Sequence, residues 1–94
     1  MNVRLLLFAT AREAAGCGRD TFELAPGSPL EQLLAAAVER YGEAFARVLD
    51  SARVWVNGDE PAAGASGARA FELHDGDEVA VLPPVSGGAG GATT

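Results

Sequence analysis

The sequence predicts an α+β fold in which one main helix crosses a mixed β-sheet. Two apolar segments with strand-like composition, residues 3–9 and 78–82, lie towards opposite ends of the chain. Between them, residues 28–41 carry the pattern of an amphipathic helix. The 94 residues are the length of one small domain, with a modest core and little room for a deep cavity.

The first part of the chain predicts two antiparallel strands. Residues 3–9 form a continuous apolar run, which is typical of a strand buried on both faces at the centre of a sheet. Residues 10–15 predict a helical turn, which Gly16 and Gly18 end, and residues 21–24 predict the second strand.

The main helix has the clearest signature in the sequence. Ser28, Pro29 and Glu31 predict a capping box, with Ser28 as the N-cap and Pro29 in the first helical position. Apolar residues then recur at helical spacing as far as Tyr41, and Gly42 predicts the end of the helix. The residues that follow, 43–49, are compatible with a second short helix.

The remaining segments complete the predicted sheet. Residues 53–56 predict a strand that ends in a tight Asn-Gly turn. Residues 62–70 predict a surface loop, residues 71–73 a short extended piece, and residues 78–82 the last strand. The two prolines that follow cannot continue a ladder, since proline has no amide donor.

This order of elements matches the ubiquitin-like, or β-grasp, arrangement. By that analogy the first and last strands pair in parallel at the centre of the sheet. We therefore predict a β-grasp domain over residues 1–84 and a flexible diglycine-containing tail over residues 85–94, because the tail has almost nothing to bury.

Composition excludes several classes of partner. The formal net charge is −6 and every basic residue is an arginine, so we expect repulsion from nucleic acid. The acidic surface suits a basic groove on a partner protein, although acidity more often serves solubility alone. A single cysteine allows no internal disulfide. The chain lacks a membrane-length apolar run and a signal-peptide pattern, which predicts a cytoplasmic protein without a membrane partner.

The sequence offers no convincing catalytic set and no residues with metal-site spacing. His74, the single histidine, stands beside an Asp-Gly turn, where we expect a solvated loop residue. Cys17 lies between two glycines and is expected to be exposed, and only Arg12 and Arg19 are near enough in sequence to activate it. The glycine-rich residues 87–91 precede no helix, so a phosphate-binding loop is excluded.

The Gly87-Gly88 pair is the remaining candidate for chemistry. Glycines leave a segment narrow and conformationally free, and residues 84–88 can extend roughly 13 Å, enough to enter a channel in another protein. Composition alone slightly favours an inert tail.

Two stretches of the chain resemble the MoaD/ThiS sulfur-carrier family. They are Leu-Phe-Ala-x-x-Arg-Glu-x-x-Gly at residues 7–16 and Leu-x-Asp-Gly-Asp-Glu-Val-Ala-x-x-Pro-Pro-Val-Ser-Gly-Gly at residues 73–88. The resemblance spans residues 1–88 and is greatest to the small subunits of molybdopterin synthase.

The resemblance implies a chemistry for the tail. An E1-like adenylyltransferase activates the terminal glycine carboxylate with ATP, and sulfur from a sulfurtransferase or cysteine desulfurase then replaces AMP. The resulting thiocarboxylate enters the large synthase subunit and donates sulfur to cyclic pyranopterin monophosphate, which yields molybdopterin. The carrier is then a non-catalytic subunit that binds no cofactor itself.

The resemblance also assigns roles to residues. Gly88 bears the thiocarboxylate, and the tail that presents it consists of Val85, Ser86 and Gly87. The positions that match partner contacts are Phe8, Arg12, Leu82, Pro83 and Pro84. For Phe8 and Leu82, ordinary core packing is an equal alternative, and for Arg12 a plain solvated charge is the favoured one.

The chain departs from the family pattern at its C-terminal end, because six residues follow Gly88. An amide-bonded Gly88 cannot be adenylated, so we expect a peptidase to remove residues 89–94. The alternatives are that the peptidase cleaves after Gly91, or that the tail stays in place and the protein is inactive. Other functions also stay open: a carrier for thiamine, cysteine or a thio-containing natural product, a ubiquitin-like protein modifier, or a β-grasp interaction domain.

Overall fold

The first and last strands pair in parallel at the centre of a four-stranded sheet. The computed structural model describes residues 1–59 and 70–84. Within them the sheet has the order β2-β1-β4-β3. The strands are β1 (Asn2–Leu7), β2 (Arg19–Glu23), β3 (Arg53–Val56) and β4 (Glu78–Leu82). Only the β1–β4 pair is parallel, so the predicted β-grasp topology is confirmed.

Three helices cover one face of this sheet. They are α1 (Ala9–Ala15), α2 (Leu30–Tyr41) and α3 (Glu43–Ser51). The two central strands alternate, and the apolar residues on their inner side meet the buried faces of the helices in one cluster. Its largest fully buried side chains are Val3, Leu5, Leu7, Leu30, Leu33, Phe45, Leu73, Val79 and Val81.

The prediction that β1 is buried on both faces is wrong. All three helices pack on one side, so the alternate residues of β1 reach the other side, where Arg4 is exposed and Leu6 is half-buried. The apolar run in this strand therefore supplies an apolar surface as well as a core. We call this uncovered side of the sheet the open face.

The predicted capping box is also wrong. Pro29 is the N-cap of α2, and no side chain caps the helix. The Ser28 hydroxyl donates to the Ala25 carbonyl at 2.7 Å instead. Tertiary pairing replaces the cap, because the Leu30 amide donates to the Phe71 carbonyl at 2.7 Å and the Leu73 amide donates to the Ser28 carbonyl at 2.9 Å.

The other predicted elements occur close to their expected positions. The main helix ends at Gly42, whose φ of 104° suits glycine, and α3 follows at once. The Asn57-Gly58 turn has positive φ at both residues. The predicted 71–73 piece forms an isolated bridge between Glu72 and Pro29. The tail, and nearly all of the predicted 62–70 loop, lie outside the described residues.

Candidate functional site

The end of β4 determines where the tail leaves the domain. Because β4 runs parallel to β1, with Leu6 opposite Ala80 and Leu7 opposite Val81, the two strands end side by side. Leu82 and Pro83 are half-buried and Pro84 is exposed. The predicted partner residues at the end of β4 and the start of α1 thus lie at one edge of the sheet, which we call the exit edge.

Phe8 lies on the surface at this edge. It is the N-cap of α1, with an extended backbone that continues the alternation of β1 and places it on the side of Leu6. The side chain is 44% exposed. Its carbonyl accepts the amides of Ala11 at 3.0 Å and Arg12 at 3.3 Å, which fixes the first turn of α1. Core packing, one of the two interpretations of Phe8, is therefore wrong, and partner contact stays a prediction.

Leu82 and Arg12 differ from Phe8 in their surroundings. Leu82 is half-buried on the open face, opposite Arg53 in the β3 register. Arg12 is exposed, and its guanidinium lies across the backbone of Gly18, where an added Cβ would come within 3.4 Å of Nε. A Cβ at position 18 would therefore lie in van der Waals contact with the Arg12 side chain.

The residues with predicted roles in the tail follow Pro84. Val85, Ser86, Gly87 and Gly88 lie outside the described residues, as do residues 89–94. Their predicted roles stay predictions, and the structure contributes the position of the strand that leads to them.

Cys17 is half-buried rather than exposed as expected, because α2 packs beside its loop. Its thiol approaches the Tyr41 hydroxyl at 3.8 Å. Tyr41 in turn donates to Asp20 at 2.7 Å, and the Arg40 guanidinium donates to the same carboxylate oxygen at 2.9 Å.

The hydrogen bond from Tyr41 is the main cause of the lowered pKa of Asp20, and the hydrogen bond from Arg40 lowers it further. Burial raises the pKa of Tyr41 strongly, so its hydroxyl stays protonated and donates.

These polar residues join α2 to the edge strand β2 and to the loop that precedes it. His74 is exposed, as expected, with its imidazole 3.9 Å from Asp77. Across residues 1–59 and 70–84, no three His, Cys, Asp or Glu side chains are grouped to hold a metal ion. The same residues contain no helix that is long and apolar enough to cross a membrane.

Two features of the open face were missed by the sequence analysis. Trp55 is 39% exposed and lies opposite Ala80, which neighbours Leu6 on β1. Arg19 flanks Leu6 on the other side. The sequence did contain a signal for Trp55, because strict alternation in residues 53–56 puts Trp55 and Val56 on opposite faces of the sheet. Only the strand register, however, shows that Arg19, Leu6, Ala80 and Trp55 form one row.

A family comparison covers almost the whole described domain and the first part of the tail. The ThiS family model matches residues 5–88. The chain belongs to the ThiS family. The match ends at Gly88, the position that the sequence analysis assigned to the reacting group.

Two curated relatives carry the same name, molybdopterin synthase sulfur carrier subunit. The protein from Chlamydomonas reinhardtii is 38% identical over 88 residues, which cover 94% of this chain and all of the relative. The protein from Anopheles gambiae is 34% identical over 91 residues, which cover 94% of this chain and 93% of the relative.

Solved structures share the fold. SAMP1 from Haloferax volcanii, small archaeal modifier protein 1, superposes with a TM-score of 0.78 at 27% identity, covering 93% of this chain and 99% of that one. A chain in the complex of subunits 1 and 2 of the molybdopterin-converting factor from Helicobacter pylori superposes with a TM-score of 0.67 at 23% identity, covering 93% and 99%. This fold is a ubiquitin-like β-grasp.

Proposed function

We propose that this chain is the sulfur carrier subunit of a molybdopterin synthase and acts in molybdenum cofactor biosynthesis. The observation that carries the proposal is the similarity, over nearly the full length of both proteins, to two curated sulfur carrier subunits of that enzyme. The family match that ends at Gly88 supports Gly88 as the carrier position. The exposed Phe8 at the exit edge gives the domain a surface with which to dock while the tail reaches onwards.

The proposed chemistry converts a poor electrophile into a sulfur donor. A carboxylate resists attack, so an E1-like enzyme first joins the Gly88 carboxylate to AMP from ATP. A persulfide on a sulfurtransferase or cysteine desulfurase then displaces AMP to give an acyl disulfide. A thiol reduces this disulfide, which leaves sulfur in place of one carboxylate oxygen. Docking on the large subunit holds this thiocarboxylate beside its substrate, cyclic pyranopterin monophosphate, and so raises its effective concentration.

In this scheme the chain provides the reacting group and the docking surface, while acid-base groups belong to the partner enzymes. The Cys17 thiol contacts the Tyr41 hydroxyl, and His74 follows the 71–73 segment beside Asp77. The proposed role is thus that of a non-catalytic subunit with no bound cofactor, located in the cytoplasm.

Release of Gly88 is the first step that the proposal requires. Six residues follow it, and a peptidase that cleaves after Gly88 would produce the free carboxylate. Cleavage after Gly91 is less suitable, because the reacting group would then lie about 10 Å further along an extended chain.

Mass spectrometry tests the proposal directly. The chain truncated at Gly88 is incubated with ATP, an activating enzyme and a sulfur source, and a gain of about 16 Da marks oxygen replaced by sulfur. The 94-residue chain is the matched control and gains nothing unless a peptidase is added. Addition of the large subunit and cyclic pyranopterin monophosphate then gives molybdopterin. As a control, the activating enzyme must load sulfur onto the carrier protein of its own pathway. If it does so and the truncated chain still gains no sulfur, the proposal is contradicted.

A second candidate is a ubiquitin-like protein modifier, which the likeness to small archaeal modifier protein 1 favours. Conjugates of the truncated chain to lysines of other proteins would support it, and Gly88→Ala would abolish them. A carrier for another sulfur pathway would gain the same mass but yield no molybdopterin with the large subunit.

A further inference from the structure

The hydrogen bonds between β1 and β2 show which backbone groups of β2 point out of the sheet. The Leu7 amide donates to the Gly18 carbonyl at 2.9 Å, and the Leu24 amide donates to the Met1 carbonyl at 2.9 Å. In an antiparallel ladder, residues whose backbone groups face the neighbouring strand alternate with residues whose groups face away. The outward groups therefore belong to residues 19, 21 and 23. Within residues 1–59 and 70–84, no strand lies beyond β2.

The centre of this edge is closed by side chains of the same molecule. The Thr21 amide donates to the Asp20 carboxylate at 2.8 Å, and the Thr21 carbonyl accepts the Arg40 guanidinium at 3.2 Å. The same guanidinium donates at 2.9 Å to the second Asp20 oxygen, which also accepts the Tyr41 hydroxyl. We call the two contacts on Thr21 the edge latch. They occupy both backbone groups that another strand would use at this position.

Arg40 reaches the edge from the last turn of α2. The carbon of its guanidinium lies 3.9 Å from the centre of the Phe22 ring, so the side chain crosses over β2. The Arg40 side chain is nevertheless 46% exposed, and a long arginine side chain at the surface can swing away. The edge latch is therefore a removable cover, unlike the buried contacts of the core.

The edge of β2 is complementary to a second copy of itself. When two β2 strands run antiparallel about a two-fold axis at Thr21, Thr21 faces Thr21, and Arg19 of each copy faces Glu23 of the other. All three residues are exposed, and they share the open face of the sheet. Opposite charges and paired threonines at facing positions stabilise neighbouring strands. Each facing pair can also exchange backbone hydrogen bonds, because these residues carry the outward groups.

The edge of β3 is already used by the chain itself. The Val56 amide donates to the Asp59 carbonyl at 2.8 Å, and the Asp59 amide donates back to the Val56 carbonyl at 3.1 Å. The segment after the Asn57-Gly58 turn thus takes the outward groups at this end of β3. Of the two edge strands, β2 is the one at which a second copy fits.

We propose that β2 is a pairing edge for a second copy of this chain, and that the edge latch of Asp20 and Arg40 on Thr21 keeps it closed in the single chain. Release of the latch frees the backbone groups of Thr21, and two copies join through β2 into one continuous sheet. β1 separates β2 from β4. The inference is independent of the proposed function, because neither β4 nor the tail takes part in the pairing.

Substitution of the latch residues tests the closure. Arg40→Ala and Asp20→Ala each remove a contact on Thr21. Arg47→Ala is the matched control, since Arg47 is an exposed helix arginine paired with Glu43 at 3.5 Å. Sedimentation velocity of the full chain over a concentration series measures dimerisation. Each latch variant should dimerise about tenfold or more tightly than the unmodified chain, because opening no longer breaks a charge-assisted hydrogen bond, and the control should stay within about twofold.

Exchange of charges on β2 tests the register of the pairing. In the Arg40→Ala background, Arg19→Glu alone puts two carboxylates opposite each other at position 23 of the second copy, and should weaken the dimer about fivefold or more. The double variant Arg19→Glu with Glu23→Arg restores opposite charges and should return the affinity to within about twofold. This rescue distinguishes strand pairing from general association through the Phe22 ring that Arg40→Ala uncovers.

Amide hydrogen exchange locates the contact. In the dimer of a latch variant, the amides of Arg19, Thr21 and Glu23 should become more protected as the concentration rises, because each donates to the second copy. The amides of Asp20 and Phe22 face β1 in the single chain. Their protection should change little.

Any of three results would overturn the inference. They are latch variants that stay monomeric, an unmodified chain that dimerises as tightly as they do, and a dimer that the charge exchange does not affect. Circular dichroism verifies the fold of each variant, and Arg40→Ala keeps the contact between Tyr41 and Asp20 if Asp20→Ala unfolds the chain. A truncated chain that gains no sulfur contradicts the proposed function and leaves this inference standing.

Discussion

At the scale of single residues, Ala9 has an unusual backbone. Its φ of 50° is in the left-handed region, which alanine rarely adopts. Ala9 follows β1 and begins α1, so this one residue turns the chain from strand into helix. The turn leaves Phe8 at the surface and puts Ala11 fully in the core. Strain at this position therefore accompanies the exposure of a predicted partner residue.

The effect of substituting Ala9 on the free energy of unfolding should depend on which backbone conformations the new residue tolerates, and not on the size of its side chain. Ala9→Gly should change the free energy of unfolding by less than about 1 kcal/mol, because relief of strain offsets added freedom in the unfolded chain. Ala9→Val should destabilise by about 2 kcal/mol or more, since a β-branched residue tolerates positive φ poorly. Urea denaturation measures both. Ala44→Val, exposed on α3, is the control, and equal losses at positions 9 and 44 would refute the role of strain.

The contact between Tyr41 and Asp20 should make stability depend on acid pH. The folded-state pKa of Asp20 lies below its ordinary value of 3.8. The stabilisation is therefore complete above that value and disappears as the pH falls through the folded-state pKa. Tyr41→Phe removes the main cause of the shift but keeps the ring contacts with Phe22 and Phe45.

We expect Tyr41→Phe to cost about 1.5 kcal/mol near neutral pH, the value of a hydrogen bond to a charged group. The loss should shrink as the pH falls below 3.8 and through the folded-state pKa of Asp20, because the carboxylate then becomes protonated in both proteins. Urea denaturation across this pH range measures it. A loss that stayed constant to the lowest pH would mean that the hydroxyl acts independently of the Asp20 charge.

At the scale of elements, α3 is part of the core rather than an accessory to the main helix. Phe45 is fully buried and its ring meets that of Tyr41 at 5.2 Å between centroids. Leu49, one turn on, is 6% exposed. The short segment between α2 and β3 thus closes one end of the hydrophobic cluster.

Phe45→Ala should destabilise the domain by about 3–4 kcal/mol through lost burial and the cavity that remains. This is a large part of the total for a domain of this size, which is about 5–15 kcal/mol. Thermal and urea unfolding measure the loss. Arg47→Ala on the exposed side of α3 serves as control. A loss below about 1 kcal/mol at Phe45 would show that α3 is dispensable.

Local patterns in the sequence were sufficient to locate the described elements. Period-2 and helical periodicity identified β3, β4 and α2, and Gly42 and the Asn57-Gly58 turn indicated where elements end. These signals are local, because each depends on neighbours within one turn or one strand.

The errors came from contacts between distant parts of the chain. Ser28 looks like a helix cap, yet its carbonyl and the Leu30 amide pair with residues 71–73. The apolar run of β1 looks buried on both faces, yet the helices gather on one side and leave Leu6 and Phe8 facing outwards. The row from Arg19 to Trp55 depends on strand register, which no local pattern specifies.

At the scale of the whole molecule, the net charge should oppose folding. With a net charge of −6, the excess carboxylates repel one another when the chain is compact. We expect the melting temperature to rise by about 2–5 °C between about 20 and 300 mM NaCl, because salt screens this repulsion. Differential scanning calorimetry measures the change, and KCl of equal ionic strength should act alike. A falling melting temperature would show that the exposed ion pairs outweigh the repulsion.

The parallel pairing of β1 with β4 makes the surface beside the tail a property of the folded chain alone. Leu6 and Ala80 come from opposite ends of the sequence, yet they lie side by side on the open face of the sheet. A broken or partly folded chain could still carry a diglycine, but it would lack the surface beside it. A partner that binds the sheet beside the end of β4 therefore recognises only those chains in which β1 and β4 have already paired.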